Sequence, residues 1–329
     1  MRSFTCRRCG QTLYFENSVC VACGGAVGYS RVERDLIPLG DDFTPCLNLD
    51  LNGCNWIPDV AGAQCFACSL TRTRPADGDL EGLPQYYKAE QAKRRLVYEL
   101  DGLGLPVQPR EEDSGTGVTF DLLSSAQEQV VTGHADGVIT LDLAEGDTVH
   151  REQVKADLGE AYRTLLGHLR HEIGHYYWQV LVDDAGGNEH FREVFGDETV
   201  SYQGEIERHY AEGPPAGWEA EHVSAYATMH PWEDFAETFA HVMHISDALE
   251  TAHAFGLSVD PNVAVRRFAD VVVGTWVPIS VALNQMNRSL GEGDLYPFVL
   301  APAVIDKLAW VSDLVRAGSP RSAEPSPAP

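Results

Sequence analysis

All eight cysteines of this 329-residue chain lie between Cys6 and Cys68, and none follows. This asymmetry sets a short cysteine-rich segment against a long cysteine-free one. The first four read "CRRCG" (Cys6, Cys9) and "CVACG" (Cys20, Cys23). Paired C-x2-C knuckles turn four thiolates inward on one tetrahedral zinc ion, with Gly10 and Gly24 easing the tight backbone after each knuckle. A disulfide framework is the alternative, but it needs an oxidising compartment that nothing in the sequence supports. Cys46, Cys54, Cys65 and Cys68 contain one further knuckle. Their even count predicts a second four-cysteine zinc site, against the alternative of buried or free thiols. Neither quartet leaves an open coordination position, so both ions would be structural, holding segments too short to fold on buried apolar surface alone.

The remainder carries enough apolar residues, 44% overall, for a real core. A formal charge of −25 argues against nucleic acid and anionic membrane as partners. Arg2, Arg7, Arg8, Arg31 and Arg34 nonetheless make the first knuckles locally basic. The start has no apolar run of signal-peptide length, and nowhere do about 18 apolar residues follow one another, which predicts a cytoplasmic protein. "LPQYYKAEQAKRRLVYELDGLGLPV" is helical in period, with Tyr87, Leu96 and Leu100 among the spaced apolar positions. "GVTFDLL" and "VVTGHADGVITLDLAEGD" alternate like strands, with a hairpin turn at His134–Gly137, and after Glu152 nearly everything reads as helix and loop. The expected fold is α+β and mainly helical. Its parts are a zinc ribbon over 1–34, a second four-cysteine segment over 35–79, one large domain over 80–318 and a disordered Pro- and Ser-rich tail over 319–329.

Within the large domain, "LLGHLRHEIGHYYWQVL" stands on a helix expected from Glu160 to about Val182. Tyr162, Leu165, Leu169, Ile173, Tyr176 and Val180 recur there at three and four. His171 and His175 then project from one face and can both reach a metal. Glu172 is turned about 100° away, where it can meet a water on that metal. H-E-x-x-H arises by chance in about one chain in thirty of this size and composition, so it calls for a third ligand. "SAYATMHPWEDFAETFAHVMHI" can supply it. Pro231 suits a first helical turn, Glu233 and Glu237 share a face, and Ala236 and Ala240 permit close approach to the first helix. A catalytic zinc takes three protein ligands and keeps a fourth place for water, which assigns Glu233 as third ligand and Glu237 as hydrogen-bond acceptor of a zinc-binding His. The alternative is an ordinary solvated pair of glutamates.

These stretches, with "LNQMNRSLGEGDLYPFVL" and the N-terminal knuckles, resemble the bacterial family of "putative zinc-binding metallopeptidases" with a zinc-ribbon domain, over nearly the whole chain. His171-Glu172-x-x-His175 followed by Glu233-x-x-Ala236-Glu237 is also similar to the gluzincin pattern, in which the first Glu of E-x-x-A is the ligand. The resemblance implies a zincin-like domain, a peptide or protein substrate and support for Glu233 over Glu237. The stretch between the two motifs is longer than that pattern.

On this reading a zinc-bound water is the nucleophile and Glu172 the general base that passes its proton to the leaving amine. The oxyanion then needs a donor, for which Tyr226 and His230 are candidates and Tyr226 the favoured one. "GVITLDLAE" is a candidate to lie beside the cleft and pair with an extended peptide, as zincin edge strands do. His168, His241 and His244 are expected outside the ligand set, and Trp178, Trp232 and Phe239 in the core. The rival class is a binding or regulatory protein whose ribbon recruits a protein partner and whose H-E-x-x-H metal is not catalytic. Glu172 favours the enzyme, because a structural ion has no use for that carboxylate.

Overall fold

The computed structural model describes residues 1–40, 43–111, 115–125, 130–147, 151, 164–257 and 266–319. They form two compact units. The first comprises Met1–Asp101, Val107–Arg151 and Glu250–Leu257, the second Gly102–Pro106, Glu152–Leu249 and Ser258–Pro329.

In the first unit, β1 (Phe4–Thr5) and β2 (Thr12–Leu13) pair antiparallel around the first knuckle, and β3 (Val27–Ser30) and β4 (Asp35–Pro38) pair antiparallel after the second. Gly10 and Gly24 follow the knuckles in the left-handed region, at φ 76° and 68°, where a side chain would be strained. Each returns its N–H to the carbonyl of the knuckle's first cysteine, at 2.9 and 2.8 Å. Of two short helices, α1 (Leu49–Asn52) lies between Cys46 and Cys54 of the second quartet and α2 (Phe66–Ser69) carries Cys68. The rings of Phe4, Phe15, Tyr29, Trp56 and Tyr98 pack together with neighbouring centroids 4.8 to 6.4 Å apart, so aromatic surface supplements what the thiolates tie.

The long helix α3 (Gly82–Leu103) buries Leu96 and Leu100 as its period predicts, but of the adjacent pair Tyr86 and Tyr87 it is Tyr86 that faces inward, while Tyr87 is 43% exposed. One residue is about 100° of helix, enough to turn a side chain from core to surface. β5 (Thr71–Thr73), β6 (Thr119–Leu123), β7 (Gly133–Ala135) and β8 (Val138–Asp142) form one sheet in the order β5-β6-β8-β7. Asp136 and Gly137, both left-handed at φ 47° and 75°, close the β7–β8 hairpin where the sequence places it. Two consecutive left-handed residues match the strand twist. β8 is paired along its length to β6 and over Val138–Thr140 to β7, so it lies inside the sheet. The expectation that it pairs with a peptide as an edge strand is therefore corrected.

In the second unit, α4 (Leu165–Trp178) carries the H-E-x-x-H motif. Thr164 is extended and its hydroxyl accepts the Gly167 N–H at 3.0 Å, an N-cap that starts the helix at Leu165. The expected start at Glu160 is thus displaced, and Glu160–Arg163, with Tyr162, lie outside the described residues. A π-helical turn over Gln179–Asp183 follows α4, and then come α5 (Asn188–Phe195), α6 (Tyr202–Glu212) and α7 (Pro231–Ala254), whose residues from Glu250 onward belong to the first unit. Beyond lie α8 (Phe268–Val271), α9 (Val277–Ser289) and α10 (Pro302–Gly318). α4 and α7 touch backbone to backbone: a Cβ on Gly174 would stand 3.1 Å from the Ala236 Cα. Phe191, Phe195, Phe235 and Trp310 form a ring cluster, and Tyr177 stacks on Phe239 at 5.5 Å.

The described chain is α+β and about half helical, with no strand after β8. Among the described residues no helix is long and apolar enough to cross a membrane. The tail from Pro320 onward lies outside the described residues.

Candidate metal centre

The two cysteine quartets gather as two groups of four free thiols. Sulfurs about 2.3 Å from a tetrahedral zinc stand about 3.8 Å apart, whereas a disulfide brings them to about 2.0 Å. The observed separations are 3.8 Å for Cys6–Cys23, 3.6 Å for Cys9–Cys20 and 3.5 Å for Cys54–Cys65. Backbone N–H groups of Asn48 and Cys65 donate to the Cys46 sulfur at 3.5 and 3.2 Å, as a thiolate requires when buried. Both quartets therefore fit zinc and not disulfides.

The third donor group joins α4 to α7. His171 and His175 lie four apart on α4, and Glu233 stands in the first turn of α7, two residues after Pro231. All three are buried. The His171 and His175 Nε2 atoms are 3.1 Å apart, and the Glu233 Oε2 is 3.0 and 3.4 Å from them. Donors about 2.0–2.1 Å from a tetrahedral zinc are spaced about 3.3 Å, so the triangle fits that ion. Its approach depends on Gly174 and Ala236, the contact that brings the two helices together.

Hydrogen bonds orient two of the donors, His171 and Glu233. The His171 Nδ1 donates to the Glu237 Oε1 at 2.8 Å, which leaves the Nε2 lone pair facing the triangle. The second Glu237 oxygen accepts from the Ser224 hydroxyl at 2.6 Å. The Tyr202 hydroxyl donates to the Glu233 Oε1 at 2.7 Å. Glu172 lies outside the triangle. Its Oε1 is 3.3 Å from the His168 Nε2, and its Oε2 is buried with no hydrogen-bond partner among the described residues.

Carboxylates and imidazoles meet here at close range, and each shifts the other. Burial works against a protonated His171, yet Glu233 and Glu237 overcome it and raise that imidazole well above its ordinary range. Burial likewise opposes ionised Glu233, and the imidazoles of His175 and His171 hold it well below the carboxylate range. Glu237 is driven down to about 2, against its burial, by the same His171 contact. Buried carboxylates in this arrangement call for positive charge, which a divalent cation would supply.

Tyr226 belongs to a 3-10 turn, Tyr226–Thr228, ahead of α7, and its ring centroid is 5.7 Å from that of His171. Burial, then the neighbouring Glu233 charge, raises its hydroxyl pKa, so it stays a proton donor. His230 is differently employed. Its Nδ1 accepts the Trp232 N–H at 3.1 Å, which places its proton on Nε2, directed at the Val200 carbonyl at 3.3 Å. It caps α7 and has no proton left for an oxyanion. Trp232, expected in the core, is half-buried with its ring 4.2 Å from that of His175. His241 and His244 face Tyr296, Phe298 and Trp276 instead of the donor triangle, and burial lowers their pKa values to about 4 and 3. Asn284 clamps the Tyr296 backbone at both N–H and C=O, at 2.9 and 2.7 Å, which accounts for part of the "LNQMNRSLGEGDLYPFVL" stretch.

Ser224 and Tyr202 were not singled out by sequence. Ser224 had a weak signal, a hydroxyl just ahead of a helix, but nothing local marks Tyr202, which lies in the long stretch between the motifs.

The described chain thus carries two four-cysteine groups and a His-His-carboxylate group, each with donors placed as a metal ion would need them. Residues 82–314 match the family model described as "Putative zinc-binding metallo-peptidase", and residues 3–79 match a zinc-ribbon domain model. The first match spans more than half of the sequence, and the chain belongs to that zinc-binding metallopeptidase family. It is 48% identical over 326 residues to uncharacterized proteins of Mycobacterium tuberculosis (strain ATCC 25618 / H37Rv) and Mycobacterium bovis (strain ATCC BAA-935 / AF2122/97), covering 96% of this chain and 95% of theirs. No solved structure matches it.

Proposed function

We propose that the protein is a zinc-dependent metallopeptidase that hydrolyses peptide bonds in a peptide or protein substrate, with His171, His175 and Glu233 holding one catalytic zinc. The cysteine quartets hold two structural zincs, and the compartment is the cytoplasm, where thiols stay reduced. The similarity of His171-Glu172-x-x-His175 and Glu233 to the gluzincin pattern supports this assignment. The observation that carries it is Glu172, next to His171 in sequence: one oxygen is anchored by His168, and the other is buried without a hydrogen-bond partner among the described residues. A purely structural ion gives such a carboxylate nothing to do.

Bound zinc supplies Lewis acidity, polarising the scissile carbonyl and acidifying the attacking water. Glu172 accepts the water's proton on Oε2 as the oxygen attacks the carbonyl carbon. It then delivers that proton to the amide nitrogen as the C–N bond breaks. The Tyr226 hydroxyl makes no hydrogen bond to another described residue and donates to the oxyanion as charge develops. Glu237, braced by Ser224, keeps the His171 Nε2 lone pair in place. The test is graded chelation of purified protein with zinc counting by native mass spectrometry. One ion should leave first, peptide hydrolysis should vanish with it, and one equivalent of zinc should restore it. Hydrolysis that persists after the first ion has gone overturns the proposal.

A further inference from the structure

Each carboxylate of the centre has one oxygen tied by another side chain: Glu237 by Ser224, Glu172 by His168 and Glu233 by Tyr202. The third differs in consequence, because Glu233 is itself in the donor triangle. Its Oε2 faces both imidazoles while its Oε1 accepts the Tyr202 hydroxyl at 2.7 Å. Turning the carboxylate so that both oxygens approach one ion would break a short hydrogen bond to a charged acceptor. Tyr202, though 37% exposed, has ring neighbours on the side that faces Glu233. Its ring meets the His230 ring at 5.2 Å and the Trp232 ring at 5.9 Å, and Trp232 in turn lies on His175. His230 has both nitrogens engaged, one to the start of α7 and one to the Val200 carbonyl two residues before Tyr202.

We infer that Tyr202 is a positioning residue that restricts Glu233 to binding metal through a single oxygen, so keeping a coordination position open for water and substrate. The inference rests on the proposed zinc site and adds to it a determinant from the stretch between the motifs. α6 presents Tyr202 although none of its own residues is buried. It is secured at its start by Ser201, whose hydroxyl accepts the Gly204 N–H at 3.2 Å, and along its length by Arg208 and His209, which reach Thr228. The seating of an exposed helix is thereby linked to the geometry of the metal. Tyr202 and Tyr226 take separate tasks: the hydroxyl of Tyr202 is spent on the ligand, and that of Tyr226 is left for the substrate.

Tyr202→Phe tests this directly, since it retains the ring contacts and deletes only the hydroxyl. Zinc affinity is measured by competition with a chromophoric chelator, and coordination number from the visible d–d bands of cobalt(II) placed in the catalytic site. Tyr202→Phe should weaken zinc binding about 10-fold and lower the cobalt band intensity, as expected when a second carboxylate oxygen raises the coordination number. Ser201→Ala, which loosens the start of α6 without touching the hydroxyl, should move both readouts in the same direction by less. Tyr226→Phe should move neither. Wild-type zinc affinity together with a wild-type cobalt spectrum in Tyr202→Phe overturns the inference. Glu233→Ala separates this from failure of the site: if it binds zinc as wild type does, the ligand assignment is wrong, and the inference falls with it.

Discussion

Gly174 offers a perturbation in which two effects of opposite sign can be weighed. It sits inside α4, between Glu172 and His175, where Ala is the better helix former by about 1 kcal/mol. A Cβ there would stand 3.1 Å from the Ala236 Cα, 3.2 Å from its carbonyl oxygen and 3.3 Å from the Phe239 Cβ. Ordinary contacts begin near 3.4 Å, and two of these three atoms are backbone, so α4 and α7 must part by a few tenths of an ångström. Overpacking of this kind costs about 1–3 kcal/mol, which cancels or exceeds the propensity gain. The larger effect falls on the metal. His171 and His175 ride on one helix and Glu233 on the other, while zinc–ligand distances tolerate about ±0.2 Å. Gly174→Ala should therefore keep a near-wild-type circular dichroism spectrum and lose no more than about 2 kcal/mol in denaturant unfolding. Its catalytic zinc should bind about 10-fold or more weakly, by chelator competition. Unchanged zinc affinity would refute the claim that this contact sets the donor triangle.

Glu237→Ala frees the His171 ring from its acceptor and should lower zinc affinity about 10- to 100-fold, by the same competition assay, with the cysteine-bound ions retained. Tyr226→Phe should leave zinc affinity unchanged and reduce kcat by about 10²-fold in a peptide-cleavage assay, as loss of an oxyanion donor does. His241 is buried and held neutral, with its pKa lowered to about 4 from an unfolded value near 6.5. The unfolded chain then takes up a proton that the folded one refuses, so stability is complete above pH 6.5 and is lost as pH falls toward 4. His241→Gln should remove about 2 kcal/mol of the stability difference between pH 7 and pH 5, read from denaturant unfolding at the two pH values.

Local pattern makes the candidate donor groups legible. The four-residue spacing of His171 and His175 follows from helical geometry, and so does the common face of Glu233 and Glu237 behind Pro231. The knuckles with Gly10 and Gly24, and the left-handed Asp136–Gly137 turn, are equally local, because a backbone conformation selects the residue type. What the sequence hides depends on contacts between distant residues. β8 alternates like any half-buried strand, and only the sheet order, with β6 and β7 on either side, shows that it is not an edge. Tyr86 and Tyr87 are adjacent and alike, so periodicity could not decide which faces inward. Thr164 is a good N-cap residue, but the apolar spacing upstream of it carried the expected helix too far. Tyr202 reaches Glu233 across 31 positions of chain from within an exposed helix, and its own neighbours in sequence announce nothing. The cysteine grouping, likewise, is silent on the pairing of β3 with β4 across residues 31–34.

The central claim, that Glu172 is the base of a zinc-dependent peptide hydrolysis, is tested most directly by Glu172→Gln. The substitution keeps the side-chain volume and lies outside the donor triangle, so metal binding should be untouched. Wild type and variant, each verified as fully zinc-loaded by native mass spectrometry, are incubated with a peptide library and the products read by mass spectrometry. The account predicts equal zinc content and a fall in turnover of about 10²- to 10⁴-fold in the variant. Identical products at identical rates from both would contradict it.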